Sequence, residues 1–181
     1  MRLFIGVWLS EEMKQEVVYY IDQLQRDCSG FKWSSSDNLH FTLKFLGEVS
    51  GNKLESLSQA LKYAAAEIKP FRLTLGTVGS FPAKGIPRIL WLDVNQGKAE
   101  LVKLAESVEK SCLNKGFDKN DKPFKAHLTI ARAKNEQSGI NFSKKPYLFE
   151  SQTLITGFSL IESCLYPTGP IYHTLENYIF I

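Results

Sequence analysis

Two of the three histidines in this chain stand in matching company. His40-Phe41-Thr42-Leu43 and His127-Leu128-Thr129-Ile130 each read histidine, any residue, threonine and an aliphatic residue. Eight threonines occur among 181 residues. A histidine therefore meets one two places on by accident in roughly 4% of cases, and two of three doing so has odds of roughly one in two hundred. One such tripeptide would be read as a core-edge histidine bonded to its neighbours; the pair points to chemistry. A phosphoester displacement needs a base for the attacking oxygen and an acid for the departing one. Imidazole, with a free pKa of about 6.5, serves as either at neutral pH. Threonine hydroxyls can donate to the non-bridging oxygens on which charge builds. No carboxylate or cysteine cluster of the kind a metal site requires accompanies these stretches, so the expected chemistry needs neither metal nor cofactor.

Both stretches have strand character, and in a strand alternate side chains point to opposite faces. That puts His40 and Thr42 on one face, with Phe41 and Leu43 behind them. His127 and Thr129 stand likewise against Leu128 and Ile130. Lys44 shares the parity of His40 and is expected beside the phosphate, the alternative being an ordinary exposed lysine. Around these stretches the hydrophobic pattern predicts strands at Leu3–Leu9, Leu39–Leu46, Phe71–Val78, Ile89–Val94, about Lys125–Arg132, about Thr153–Glu162 and Ile171–Phe180. One helix follows Ser10 as its cap, with Met13, Val17, Ile21 and Leu24 at helical spacing. A second runs from Leu54 to Ala65 and stops before Pro70. A third carries Leu101, Leu104, Ala105, Val108 and Cys112, with Gly116 at its end. Gly79–Pro87, Lys134–Lys145 and Tyr166–Pro170 read as loops. Strands and helices mix without strict alternation, so the class is α+β with antiparallel sheets.

Length and a 44% hydrophobic composition suit one domain that buries its core without disulfides or a structural metal. A net charge of +3 does not by itself mark a nucleic-acid binder. Between Lys115 and Lys145, however, eight basic residues face only Asp118, Asp121 and Glu136, a local surplus of +5. This is either a solvated loop or a positive rim beside an anionic substrate. Cys28, Cys112 and Cys164 are odd in number and far apart, which excludes a disulfide framework and favours a reducing compartment, the cytoplasm. The apolar stretch Leu3–Leu9 is too short to span a membrane and lacks a signal-cleavage pattern, so no membrane association is expected.

The chain resembles the 2H phosphoesterases, and within them the bacterial and archaeal RNA 2′,3′-cyclic phosphodiesterases, also called 2′-5′ RNA ligases. The resemblance runs through Arg2–Ile5, Asn38–Gly47, Pro87–Trp91, Pro123–Arg132 and Glu162–Tyr172. It departs at Cys164, where the family often has Arg. It implies one bilobal domain over residues 1–181: two pseudo-twofold-related lobes, each with an antiparallel sheet and outer helices, around a central cleft. It implies hydrolysis of RNA 2′,3′-cyclic phosphate ends to 2′-phosphate, with His40 as proton donor and His127 as proton acceptor. Spacing alone leaves those two roles open, because the motif is symmetric. Reverse, ATP-independent 2′-5′ ligation is implied as well. RNA ends or nucleoside 2′,3′-cyclic phosphates are the implied partners, with no obligate protein partner.

The resemblance also makes Arg132 a candidate phosphate ligand, although a regular strand would point it away from His127, so that only a bulge or strand end brings it to the site. Tyr166, in a predicted loop beside Pro167, is the candidate base-stacking platform. Phe4, Phe41, Trp91 and Phe124 are expected in the core. His173, with no threonine two places on, is expected at the surface or in a structural role. Asp22, Asp27 and Asp93 form no carboxylate pair and are expected at the surface. Two other functions fit the same residues: a 2H enzyme acting on a small cyclic nucleotide or ADP-ribose cyclic phosphate, and a non-catalytic RNA- or nucleotide-binding module. The two intact H-x-T stretches weigh against the second of these.

Overall fold

The computed structural model describes residues 1–135, 139–140, 147–167 and 169–181. The first strand, β1 (Arg2–Trp8), buries Leu3, Ile5 and Val7 on one face. Its other face presents Arg2, Phe4, Gly6 and Trp8. Ser10 then caps α1 (Glu11–Asp27), its hydroxyl accepting from the Met13 N–H at 3.3 Å. Met13, Val17, Tyr20, Ile21 and Leu24 form the helix's buried stripe.

The chain continues through β2 (Cys28–Ser29), β3 (Phe31–Trp33), β4 (His40–Glu48), α2 (Leu54–Ala66), β5 (Phe71–Phe81), β6 (Ile89–Gln96) and α3 (Lys98–Leu113). After these come β7 (Leu128–Ala133), β8 (Gly139–Ile140), β9 (Gln152–Ile155), β10 (Gly157–Tyr166) and β11 (Gly169–Ile179). The strands form a four-stranded sheet in the order β11-β10-β1-β4, a five-stranded sheet in the order β3-β7-β6-β5-β9, and the small pair β2-β8. All these pairings are antiparallel. The expected α+β class with antiparallel sheets is what the chain adopts.

The two sheets are woven from both ends of the chain. The four-stranded sheet takes its strands from the two termini, and the five-stranded sheet is built mainly from the middle. One predicted strand, about Thr153–Glu162, is therefore two: β9 pairs with β5, and after Thr156 the chain crosses to pair β10 with β1. Gly157 marks the crossing, since a Cβ there would lie 2.3 Å from the Tyr178 carbonyl oxygen. The short strands β2 and β3 had no periodic signal. β5 runs on to Phe81, into the predicted loop Gly79–Pro87; in the predicted loop Tyr166–Pro170, Tyr166 of β10 pairs opposite Gly169 of β11, and Thr168 lies outside the described residues. Of the predicted loop Lys134–Lys145, only Lys134, Asn135 and β8 are described; Lys144 and Lys145 lie outside the described residues.

Helices α2 and α3 pack on each other, α3 contacting β4 and α2 contacting β11. Ser58 of α2 donates to Glu176 of β11 at 2.8 Å. Helix α1 is tied to the approach to β9, where Glu16 accepts from the N–H groups of Glu150 and Ser151 at 2.7 and 2.9 Å. No described helix is long and apolar enough to cross a membrane.

Candidate active site

Strand β4 carries the first H-x-T stretch. Phe41 and Leu43 are buried at 1% and 2%, which anchors the strand and leaves His40 and Thr42 on the opposite face. Full burial of such side chains contributes about 1.5–3 kcal/mol each. His40 Nδ1 donates to the Asn38 carbonyl at 2.7 Å, so its neutral tautomer has a bare Nε2, 3.0 Å from the Thr42 hydroxyl. The ring is enclosed by Phe4, Tyr172 and Trp8 at centroid distances of 4.8, 5.1 and 5.5 Å.

His127, immediately before β7, repeats the device: Nδ1 donates to the Lys125 carbonyl at 2.7 Å. Its ring packs edge-on to Phe81 at 5.4 Å and Trp91 at 6.4 Å. Phe81 and Trp91 stack on each other, and the Lys125 ammonium sits over both rings at 4.6 and 5.0 Å. Gly79 makes this possible, since a Cβ at that position would come within 2.6 Å of the Trp91 ring.

The same irregularity follows both threonines. Thr42 pairs with Gly6 but Lys44 with Ile5, so Leu43 is an extra residue in β4. Thr129 pairs with Trp91 but Ala131 with Leu90, so Ile130 is an extra residue in β7. Each is a β-bulge, and each reverses the alternation beyond it. In β7 this turns Arg132 onto the face of His127 and Thr129. In β4 it turns Phe45 outward, 64% exposed, and Lys44 inward.

The expectation that Lys44 lies beside the phosphate is therefore corrected. Its ammonium is buried behind the strand, bonded to Glu109 Oε2 and the Asp118 carbonyl at 2.7 Å each and to Asn120 Oδ1 at 3.2 Å. Tyr166 is also corrected. It is exposed, but Ser163 and Leu165 hold the cleft-facing parity of β10, and Tyr166 has the opposite one. His173 is exposed opposite Glu162, away from the site, as expected.

His40, Thr42, His127, Thr129 and Arg132 line one cleft of about 700 Å³, within the usual range for a ligand site. Arg2, Lys32, Phe45 and Tyr172 also line it, and none of the four was singled out from the sequence. Phe4, expected in the core, is buried and also lines the cleft. Of the basic stretch Lys115–Lys145, Arg132 lines the cleft and Lys125 stands over the aromatic pair beside His127; the exposed Lys115, Lys119 and Lys122 do not line it. The described residues contain no cluster of three His, Cys, Asp or Glu side chains able to hold a metal.

Burial lowers the pKa of His40 to about 4, against the opposing Asn38 carbonyl, and Arg132 lowers it further. Burial also lowers His127; the Lys125 carbonyl opposes, while the Lys125 and Arg132 charges add to the effect. Tyr172 is raised by burial, opposed by Arg132 and Arg2. The field of Arg132 thus reaches both imidazoles. Without a bound anion both rings are neutral at pH 7, and an anion between them would draw a proton onto one.

The family of LigT-like phosphoesterases matches residues 7–91, a span that holds the first H-x-T strand. An RNA 2′,3′-cyclic phosphodiesterase of Archaeoglobus fulgidus is 37% identical over 178 residues, covering 97% of this chain and 98% of that protein. The structure of a protein from Thermus thermophilus is similar with a TM-score of 0.86 at 31% identity, covering 99% of this chain and 98% of that one. Escherichia coli LigT complexed with 3′-AMP is similar with a TM-score of 0.82 at 26% identity, covering 99% and 97%. Likeness of this degree over nearly the whole length of both chains means that this chain belongs to the LigT-like 2H phosphoesterases, the family of the RNA 2′,3′-cyclic phosphodiesterases.

Proposed function

We propose that this protein hydrolyses the 2′,3′-cyclic phosphate at RNA ends to a 2′-phosphate, as one bilobal domain over residues 1–181. His40 gives a proton to the departing 3′-oxygen, and His127 takes one from the attacking water. Thr42, Thr129 and Arg132 hold the non-bridging oxygens, where charge builds in the transition state. With an RNA 5′-hydroxyl in place of water, the same displacement forms the P–O5′ bond, breaks the bond to the 3′-oxygen and leaves a 2′-5′ linkage without ATP.

One observation carries this reading: two imidazoles, each with Nδ1 tied to the carbonyl two residues back, line the same cleft under the field of one arginine. Burial holds both imidazoles below the free value and a bound phosphate raises them, which supports an acid–base pair that takes up its one proton with the substrate. The odd, widely spaced cysteines support a reducing compartment, the cytoplasm.

The test is turnover of a nucleoside 2′,3′-cyclic phosphate in the presence of EDTA, with the product isomer identified. The 2′-phosphate is expected, and His40→Ala or His127→Ala should each lose roughly 10²–10⁴ in rate. Activity abolished by EDTA and restored by a divalent ion, or near-normal turnover by His40→Ala, would overturn the proposal.

A further inference from the structure

Strand β3 sets Lys32 directly opposite Arg132 of β7. Partners in an antiparallel pair have Cα atoms about 4.5–5.5 Å apart and side chains on one face, so two cations share a face of the five-stranded sheet. That face is a wall of the histidine cleft, which both residues line. The Lys32 ammonium reaches across toward the other sheet, where an added Cβ at Gly169 would stand 3.2 Å from it. Like charges directly opposite each other weaken a sheet. Arg2, which also lines the cleft, stands instead opposite Glu48. Among the described residues no Asp or Glu lines the cleft, and Arg132 takes part in no ion pair. The Lys32–Arg132 arrangement costs stability in the free protein and suits an anion.

On the reading above, the cyclic phosphate enters the cleft as a diester with one negative charge. Water then bonds to phosphorus as it gives a proton to His127. Until the bond to the 3′-oxygen breaks and that oxygen leaves with the proton of His40, phosphorus carries two negative non-bridging oxygens. Arg132 answers the charge already present in the diester. We infer that Lys32 is a second cationic ligand of the phosphoryl group, matched to the negative charge that appears as water adds. Arginine supplies a forked donor that fixes the phosphate, and lysine a point charge that needs no fixed geometry. An interaction that strengthens only as this charge develops raises kcat rather than tightening the hold on the diester.

The test takes a nucleoside 2′,3′-cyclic phosphate as substrate and the nucleoside 2′-monophosphate, a dianion at about pH 8, as inhibitor. K32Q should lower kcat by roughly 10–100-fold, the range for a hydrogen bond to a charged group, with KM for the diester within about threefold of wild type. The Ki of the dianionic monophosphate should rise by roughly tenfold or more. The urea midpoint of K32Q should stand at or above that of the wild-type protein, because the variant removes a like charge opposite Arg132. A lysine that merely supports the fold would lower that midpoint. A kcat within about twofold of wild type, a loss confined to KM, an unchanged Ki, or activity and urea midpoint falling together would overturn the assignment. Failure of the wild-type protein to turn over the cyclic phosphate would overturn the catalytic reading itself, which keeps the two outcomes apart.

Discussion

His40 and His127 are held by one local device, an Nδ1–H to the carbonyl two residues back, but they sit in different surroundings. Phe4, Trp8 and Tyr172 enclose the first; Phe81 and Trp91, with Lys125 over them, flank the second. Both pKa values lie below that of free histidine, His40 at about 4. The free protein therefore has few molecules with His40 protonated at pH 7, and that fraction rises as pH falls. Since kcat/KM reports the free protein, its bell should centre on the acid side of pH 6.5, roughly the unperturbed histidine value. The phosphate anion raises both imidazoles in the complex, so the kcat bell should lie at higher pH. Steady-state profiles between about pH 4 and 9 check both signs. A kcat/KM optimum above about pH 7 would show that burial does not keep these rings neutral.

At the scale of elements, the bulges in β4 and β7 decide which side chains follow each threonine into the cleft. The reversal that exposes Phe45 sends Lys44 into a nearly closed pocket with Glu109 of α3, their side chains 1% and 19% exposed. Asn120 completes the knot, its N–H donating to Glu109 Oε1 at 2.8 Å. Breaking one partner of a buried pair costs about 3–5 kcal/mol, while replacing both with apolar groups is often neutral. Lys44→Met should thus lower stability by roughly that amount in urea unfolding, and K44M/E109L should recover most of it. Because Lys44 faces away from the cleft, kcat of folded K44M should fall only a few-fold. A loss of about 100-fold or more, with stability retained, would place this lysine at the phosphate after all.

For the whole molecule, the cleft is a joint product of two sheets. Gly169, in the β10–β11 hairpin of one sheet, comes so near Lys32 of the other that an added Cβ would stand 3.2 Å from its ammonium. Asn38 donates to the Pro170 carbonyl at 3.2 Å and closes the same edge. A ligand that binds only the native state stabilises it by about 2.7 kcal/mol at a hundred times its Kd. An anion held between His40 and His127 should spread that gain over both sheets. Hydrogen exchange with and without a nucleoside monophosphate should therefore show added protection in β4 and in β7 alike. Protection confined to one of them would mean that the phosphate does not bridge the two histidines.

The sequence by itself determined the α+β class, the three helices and the four residues of the paired H-x-T stretches. Each of these rests on local physics: helical spacing behind Ser10, strand alternation at His40 and Thr42, and two repeats too alike for chance. The order of strands in each sheet was decided only by tertiary structure, because antiparallel pairing joins segments as distant as β1 and β10. So was the split at Thr156, where one apolar-patterned run serves two sheets. Lys44 and Arg132 show the limit most sharply. Alternation put Lys44 in the cleft and left Arg132 out of it, and both assignments reversed because Leu43 and Ile130 bulge. A bulge of this kind is set by pairing with the neighbouring strands β1 and β6, and nothing in Leu43 or Ile130 as residues announces it.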